Sequence, residues 1–181
     1  RKPEPHSRAY NGSAGRAAAW LQDLGLRRGQ AVLVFVPMSA DLYVALLALF
    51  RLGAVALFLD PSAGRAHLEQ CCAQWTPDAL LAVSKAHLLR LTSRALRRIP
   101  LKIGLGLPLP CTRRWPTRWE SRVRSDSPAE PADAALVTFT SGSTGVPKAA
   151  VRTHGFLLAQ YRALAPNIAL KPGEVDLATL P

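Results

Sequence analysis

The sequence predicts an α/β fold: an open, mostly parallel sheet flanked by helices. Three observations carry that expectation. Continuous apolar runs over 31–36 and 54–59 mark strands buried on both faces of a parallel sheet. A helix-length segment with apolar residues at helical spacing separates them, giving a strand–helix–strand unit. Further along, the apolar run 135–139 ends abruptly in hydroxyls and glycines before a second short apolar run, the order of strand, loop and strand.

At 181 residues the chain is long enough for one domain with a sizeable core, and 49% hydrophobic residues exclude a disordered polypeptide. A formal charge of +11, mostly from arginine, raises nucleic acid, an anionic membrane or an acidic substrate as partners. Cys71, Cys72 and Cys111 match neither a metal-ligand spacing nor an even disulfide framework. The adjacent pair reads as helix packing in a reducing, cytoplasmic setting. Arg1 stands where a methionine would, so the true N-terminus is expected upstream, and no secretion signal is visible.

In chain order, residues 1–12 are polar and proline-bearing and read as a loose lead-in. Ser13 is placed to cap an alanine-rich helix to Leu24, with Gly25 to stop it and Trp20, Leu21 and Leu24 at core spacing. Ser39 caps a second helix carrying Leu42, Leu46, Leu49 and Phe50, which Gly53 ends. Pro61 to Trp75 reads as a third helix, with Ala66, Cys71 and Trp75 among its buried positions. Asp78 to Val83 follows as a strand, Ser84 caps a helix to about Arg98, and Leu101 to Leu105 is a further strand. His67 and His87 lack spaced partners and read as ordinary packed or solvated histidines rather than metal ligands.

From 106 to 135 the pattern dissolves into a basic, proline-rich loop, with Trp115 and Trp119 among Arg113, Arg114, Arg118, Arg122 and Arg124. Interleaved cations and aromatics can bind single-stranded nucleic acid. The favoured reading is a solvated loop with packed tryptophans, ahead of an anionic-lipid or acyl-carrier surface and then of nucleic acid. Beyond the second apolar run, Thr153 caps a helix through Phe156, Leu157, Gln160, Tyr161 and Leu164, ended by Pro166. Lys171 to Gly173 is a turn and Val175 to Leu180 one more strand.

A membrane span over 43–59 is the rival reading, since only Arg51 interrupts its apolar character. Arg51 near the centre costs about 2.5–3.5 kcal/mol on insertion scales, and Gly53 divides the run into helix-like and strand-like halves. The span is therefore rejected.

The chemistry concentrates in the region 136–154. Gly142 and Gly145 can take φ > 0 and leave room for a bulky anion against the backbone. Successive N–H groups then form a nest with partial positive charge. Thr140, Ser141, Ser143 and Thr144 add hydroxyl donors, and Lys148 adds a full charge. Pro147 fixes its own φ and holds Val146 extended. A polyphosphate fits this set. A Walker A loop needs glycine before the lysine and Ser/Thr after it, where Pro147 and Ala149 stand. Ser143 and Thr144 between the glycines also exclude the dinucleotide G-x-G-x-x-G pattern.

Phe139 through His154 instead resembles, without a gap, the signature loop of the adenylate-forming superfamily, (Y/F)-T-S-G-(S/T)-T-G-x-P-K followed by a small-apolar strand and T-H. That group includes acyl-CoA synthetases, peptide-synthetase adenylation domains and luciferases. The likeness extends to Gly25–Pro37, where Gln30 replaces the usual Asp, to Ala48–Ala54 with Asp60-Pro61, and to Lys171–Pro181. Asp60–Arg65, Cys71, Pro77 and Lys85–Leu88 are most similar to the β-lactone synthetases of olefin pathways, with long-chain acyl-CoA synthetases as near neighbours.

The resemblance implies carboxylate activation: a carboxylate attacks the α-phosphate of ATP, giving an acyl-adenylate and pyrophosphate, with Mg²⁺ bound through the phosphates. It implies ATP β/γ-phosphate contacts from Thr140, Ser141, Gly142, Ser143, Thr144, Gly145 and Lys148. The implied substrate is a fatty or β-hydroxy fatty acid, with CoA as one acceptor and an anionic membrane surface as a peripheral contact. The aromatic-T-E segment, the T-G-D aspartate and the C-terminal lysine of the superfamily have no counterpart here. The expectation is thus an incomplete part of the N-terminal domain, a fragment inactive by itself. The alternative is a non-catalytic remnant or binding module that meets anionic partners through its arginines.

Overall fold

The computed structural model describes residues 5–60, 62–118, 129–140 and 146–168. Strand β1 (Ala31–Phe35) is buried at every residue, as a run apolar on both faces requires. Its alternation sends Val32 and Val34 into one apolar cluster and Ala31, Leu33 and Phe35 into the other. Helices α1 (Pro5–Asp23) and α2 (Ala40–Leu52) complete the first cluster. Helices α3 (Arg65–Gln74) and α5 (Arg94–Arg98) complete the second. The result is three layers, helices on both sides of a sheet.

The remaining strands are β2 (Val55–Phe58), β3 (Ala79–Val83), β4 (Leu101–Leu105), β5 (Arg113–Arg114), β6 (Ala134–Thr140) and β7 (Lys148–Thr153). They form one seven-stranded sheet in the order β5-β4-β3-β1-β2-β6-β7. Every pairing is parallel except β6 with β7. A short α4 (Ser84–His87) and helix α6 (His154–Ile168) complete the described elements.

The local signals explain the ends of α2. Ser39 Oγ accepts from Leu42 N–H at 3.3 Å, and Gly53 closes the helix at φ 66°. A Cβ on Gly53 would stand 2.9 Å from Arg28 Cγ, so this position needs glycine for space as well as for φ. The apolar stretch over 43–59 is indeed divided there into helix and strand, and no helix among the described residues is long and apolar enough to cross a membrane. Gln30 uses its amide locally: Oε1 accepts from Arg27 N–H at 2.7 Å and Nε2 donates to Asp78 Oδ1 at 3.3 Å.

Several expectations are corrected. The supposed lead-in is helical from Pro5, so Ser13 lies inside α1 rather than capping it; residues 1–4 fall outside the described set. Helix α3 starts at Arg65, with Ala66 exposed. The single helix expected over 84–98 breaks into α4, a 3₁₀ turn (Leu88–Leu91) and α5. Ser93 causes the second break by capping α5 through Leu96 N–H, while Ser84 Oγ donates instead to the carbonyls of Leu105 and Leu107. Helix α6 begins on the Thr153 cap as expected, Phe156 N–H donating to Thr153 Oγ1 at 3.1 Å. It passes through Pro166 to Ile168 rather than ending there. The loop over 106–135 contains the two-residue β5, and β6 starts at Ala134. The turn and strand expected over 171–180 lie outside the described residues.

Trp115 is buried rather than displayed. Its ring meets Trp20 edge-on at 5.8 Å, and its Nε1–H donates to Asp41 Oδ1 at 3.2 Å. Burial pushes the Cys72 thiol up to about 12, with Cys71 and Glu69 adding to the shift, and burial raises Cys71 as well. Both act as neutral packing groups under α3.

Candidate phosphate-binding site

Strand β6 lies parallel to β2, with Ala56, Leu57 and Phe58 opposite Leu136, Val137 and Thr138. It therefore runs out of the sheet at the carboxyl ends of the parallel strands, where open α/β sheets bind ligands. There the chain turns back as β7, and Thr140 stands opposite Lys148 across the hairpin mouth. Thr140 Oγ1 points to Lys148 O at 3.5 Å, and both residues are exposed. Ser141, Gly142, Ser143, Thr144 and Gly145 lie outside the described residues. The structure thus brings together the two ends of the expected loop.

The far shoulder of the loop is anchored. Pro147 is fully buried, and its carbonyl accepts from Gln74 Nε2 at 2.7 Å, fixing the approach to Lys148 against the end of α3. Alternation places Thr138 and Thr140 of β6 on one face of the hairpin with Lys148, Ala150 and Arg152 of β7. Arg152 donates to Thr138 Oγ1 at 2.9 Å, so a second cation shares that face. Neither Gln74 nor Arg152 stands out in the sequence. Gln74 lies 73 residues from its partner, and Arg152 reads only as an interruption of an apolar strand.

The hairpin base is held by Asp133 and Pro131. Asp133 O accepts from His154 N–H at 3.0 Å, and Pro131 O accepts from Gly155 N–H at 2.8 Å. A Cβ on Gly155 would come within 3.0 Å of that proline carbonyl. His154 meets the Phe50 ring edge-on at 5.7 Å. Burial holds its imidazole below the ordinary range, with Asp133 opposing and Arg28 reinforcing the shift.

A profile of the AMP-binding enzymes, a group described as "AMP-binding enzyme", matches residues 8–181. The chain belongs to the AMP-binding enzyme family. It is 33% identical over 168 residues to an olefin beta-lactone synthetase of Stenotrophomonas maltophilia, covering 91% of this chain and 30% of that protein. It is 31% identical over 156 residues to an L-proline--[L-prolyl-carrier protein] ligase of Pseudomonas fluorescens, covering 86% of this chain and 31% of that protein. The acetoacetyl-CoA synthetase of Streptomyces lividans shares its fold at a TM-score of 0.79 and 24% identity, over 91% of this chain and 28% of that one. The chain spans about 30% of the length of these curated relatives.

Among the described residues no group of three or more His, Cys, Asp or Glu could hold a metal ion.

Proposed function

We propose that the chain is part of an ATP-dependent, carboxylate-activating ligase, in which the hairpin turn from Thr140 to Lys148 holds the β- and γ-phosphates. The observation that carries this reading is the β6–β7 hairpin, which sets Lys148 and Thr140 side by side at the carboxyl edge of the sheet. ATP, when bound, supplies the α-phosphorus that a carboxylate oxygen attacks as the bond to pyrophosphate breaks.

The residues of this chain bind and orient. Lys148, exposed on a strand whose preceding residue is pinned by Gln74, offsets the charge that grows on the departing pyrophosphate. Thr140 Oγ1 makes only a long contact at 3.5 Å, so its hydroxyl can turn to donate to a phosphate oxygen. Ser141, Gly142, Ser143, Thr144 and Gly145 supply the remaining N–H and hydroxyl donors of the loop. Mg²⁺ is carried by the phosphates rather than by side chains of this segment.

A fatty or β-hydroxy fatty acid is the proposed substrate, supported by the likeness to the olefin beta-lactone synthetase. Taken alone, the chain does not complete adenylation, because these 181 residues hold no counterpart of the superfamily's ribose-binding aspartate or C-terminal lysine. The test is ATP–pyrophosphate exchange by the complete protein with a panel of carboxylic acids. Lys148→Ala is expected to lower exchange roughly a hundredfold with long-chain acids. Unchanged exchange in that variant would remove the phosphate role, and exchange by the isolated chain would remove the claim of incompleteness.

A further inference from the structure

From residue 79 to 118 the chain carries nine Lys or Arg and no Asp or Glu. The fold gathers this stretch at one end of the sheet: β3, α4, the 3₁₀ turn, α5, β4 and the edge strand β5. Among the described residues none of these cations is paired with a carboxylate, the ion pair there being Arg28 with Asp133 at the opposite end. Like charges therefore crowd one another. Burial and then Arg90 hold the Lys102 ammonium below its ordinary range, and Arg90 Nε is buried with no hydrogen-bond partner.

Apolar side chains stand out from the same edge. Leu88 is 56% exposed, Leu91 74% and Leu107 75%. Leu88 and Leu91 are three residues apart in a 3₁₀ turn, a geometry that eclipses their side chains and points both the same way. Leu107 is tied to the start of α4, its carbonyl accepting from Ser84 Oγ at 3.0 Å. Arg97 donates to Leu91 O at 3.4 Å, which sets a guanidinium beside the most exposed leucine of the turn. On the same edge strands, a groove of about 310 Å³ runs between β4 and β5, lined by Lys102, Cys111, Thr112 and Arg113 among others.

We propose that this edge docks on an anionic phospholipid surface, with Leu88, Leu91 and Leu107 entering the interface and the Lys102–Arg113 groove taking lipid phosphates. Two carboxylates reach this end from elsewhere, Glu69 onto Ser93 and Ala95 of α5 and Asp41 onto Trp115, so the nine cations still dominate it. Such an excess attracts an anionic leaflet, and projecting leucines gain by leaving water there. A single strand of nucleic acid would need exposed rings to stack on. Among the described residues of this stretch the one Phe, Tyr or Trp is Trp115, and it is buried. A folded acidic protein would need fixed pockets for its contacts. The leucines line no part of the groove, whereas a fluid interface needs no fixed complement. The inference is independent of the phosphate-loop reading.

Vesicle flotation of the full chain tests it without ATP, with phosphatidylglycerol–phosphatidylcholine vesicles set against pure phosphatidylcholine. Binding is expected on the anionic vesicles alone, weakening as salt rises. Arg97→Glu with Arg113→Glu is expected to reduce it at least tenfold, and Leu91→Ser with Leu107→Ser severalfold. Arg162→Glu, an exposed position on α6, serves as the control and is expected to change little. These sites on the docking edge are exposed, and circular dichroism checks that each variant keeps its fold. No flotation at low salt, equal flotation on neutral vesicles, or indifference to the leucine pair overturns the proposal. So does binding to an acidic protein or to single-stranded RNA without binding to vesicles.

Discussion

Arg28 grips Asp133 with two nitrogens across 105 residues of sequence, Nε at 2.9 Å and the terminal NH2 at 2.7 Å from the same Oδ2. That oxygen also accepts from Glu130 N–H at 2.8 Å, and the Asp133 carbonyl accepts from His154 N–H. One aspartate thus ties the turn before β1 to the entry of β6 and the exit of β7. Its carboxyl lies below the ordinary range, through the Glu130 N–H first and then Arg28, so it is charged at neutral pH.

Asp133→Ala is expected to loosen the hairpin base without unfolding the parallel core. Amide hydrogen exchange checks this: His154 and Gly155 should exchange faster, while the amides of β1 and β3 keep their protection. Equal acceleration throughout the sheet would show that the aspartate supports the whole domain.

Gln74 is expected to act on the loop through Pro147. Gln74→Ala removes a side-chain donor to a carbonyl and should cost about 1 kcal/mol of stability. In the complete protein the same change should raise the KM for ATP severalfold, more than it lowers kcat, because it disturbs position rather than charge. Gln74→Glu, which cannot donate, should behave like the alanine variant. Equal ATP affinity in all three proteins would separate Gln74 from the site.

Acidification is expected to destabilise the fold below neutrality. Burial lowers both His87 and His154, and for His87 the neighbouring Arg90 and Lys102 add to the effect while its bond to the Ile103 carbonyl opposes it. Both folded values lie below the ordinary 6.5, so between the folded value and 6.5 the unfolded chain binds more protons. Stability contributed by the neutral rings is present above that ordinary value and is lost as pH falls from it toward the folded values. Urea midpoints at pH 7, 6 and 5 should fall in that order, and His87→Gln should flatten the slope. An unaltered slope in that variant would place the effect elsewhere.

Much of this architecture is legible in the sequence because it depends on local patterns. The runs that became β1 and β2 are continuous because each face of the sheet meets helices, and the ends of α2 follow from Ser39 and Gly53. The strands on either side of the loop read correctly from their apolar character. What local pattern missed depends on tertiary contact. Pro5–Gly12 joins α1, where Asn11 accepts from Arg51 of α2 at 3.2 Å. Trp115 packs back on the domain as its loop setting suggested, but its partners Trp20 and Asp41 are not visible from the local pattern. At the site, Thr140 and Lys148 carry a recognisable spacing, whereas Gln74 reaches the loop from a helix whose sequence gives no hint of it.

The pairing of β2 with β6, which sets Ala56 against Leu136, also orders events in time. On the ribosome, β1 to β4 can meet one another while β6 is still unmade, since chains emerge from the N-terminus and distant pairings close late. Until β6 arrives, β2 waits as a bare apolar edge. The pairing of β6 and β7 therefore forms among the last parts of this sheet, and a nascent chain delayed at that stage is exposed to pairing with the wrong neighbour.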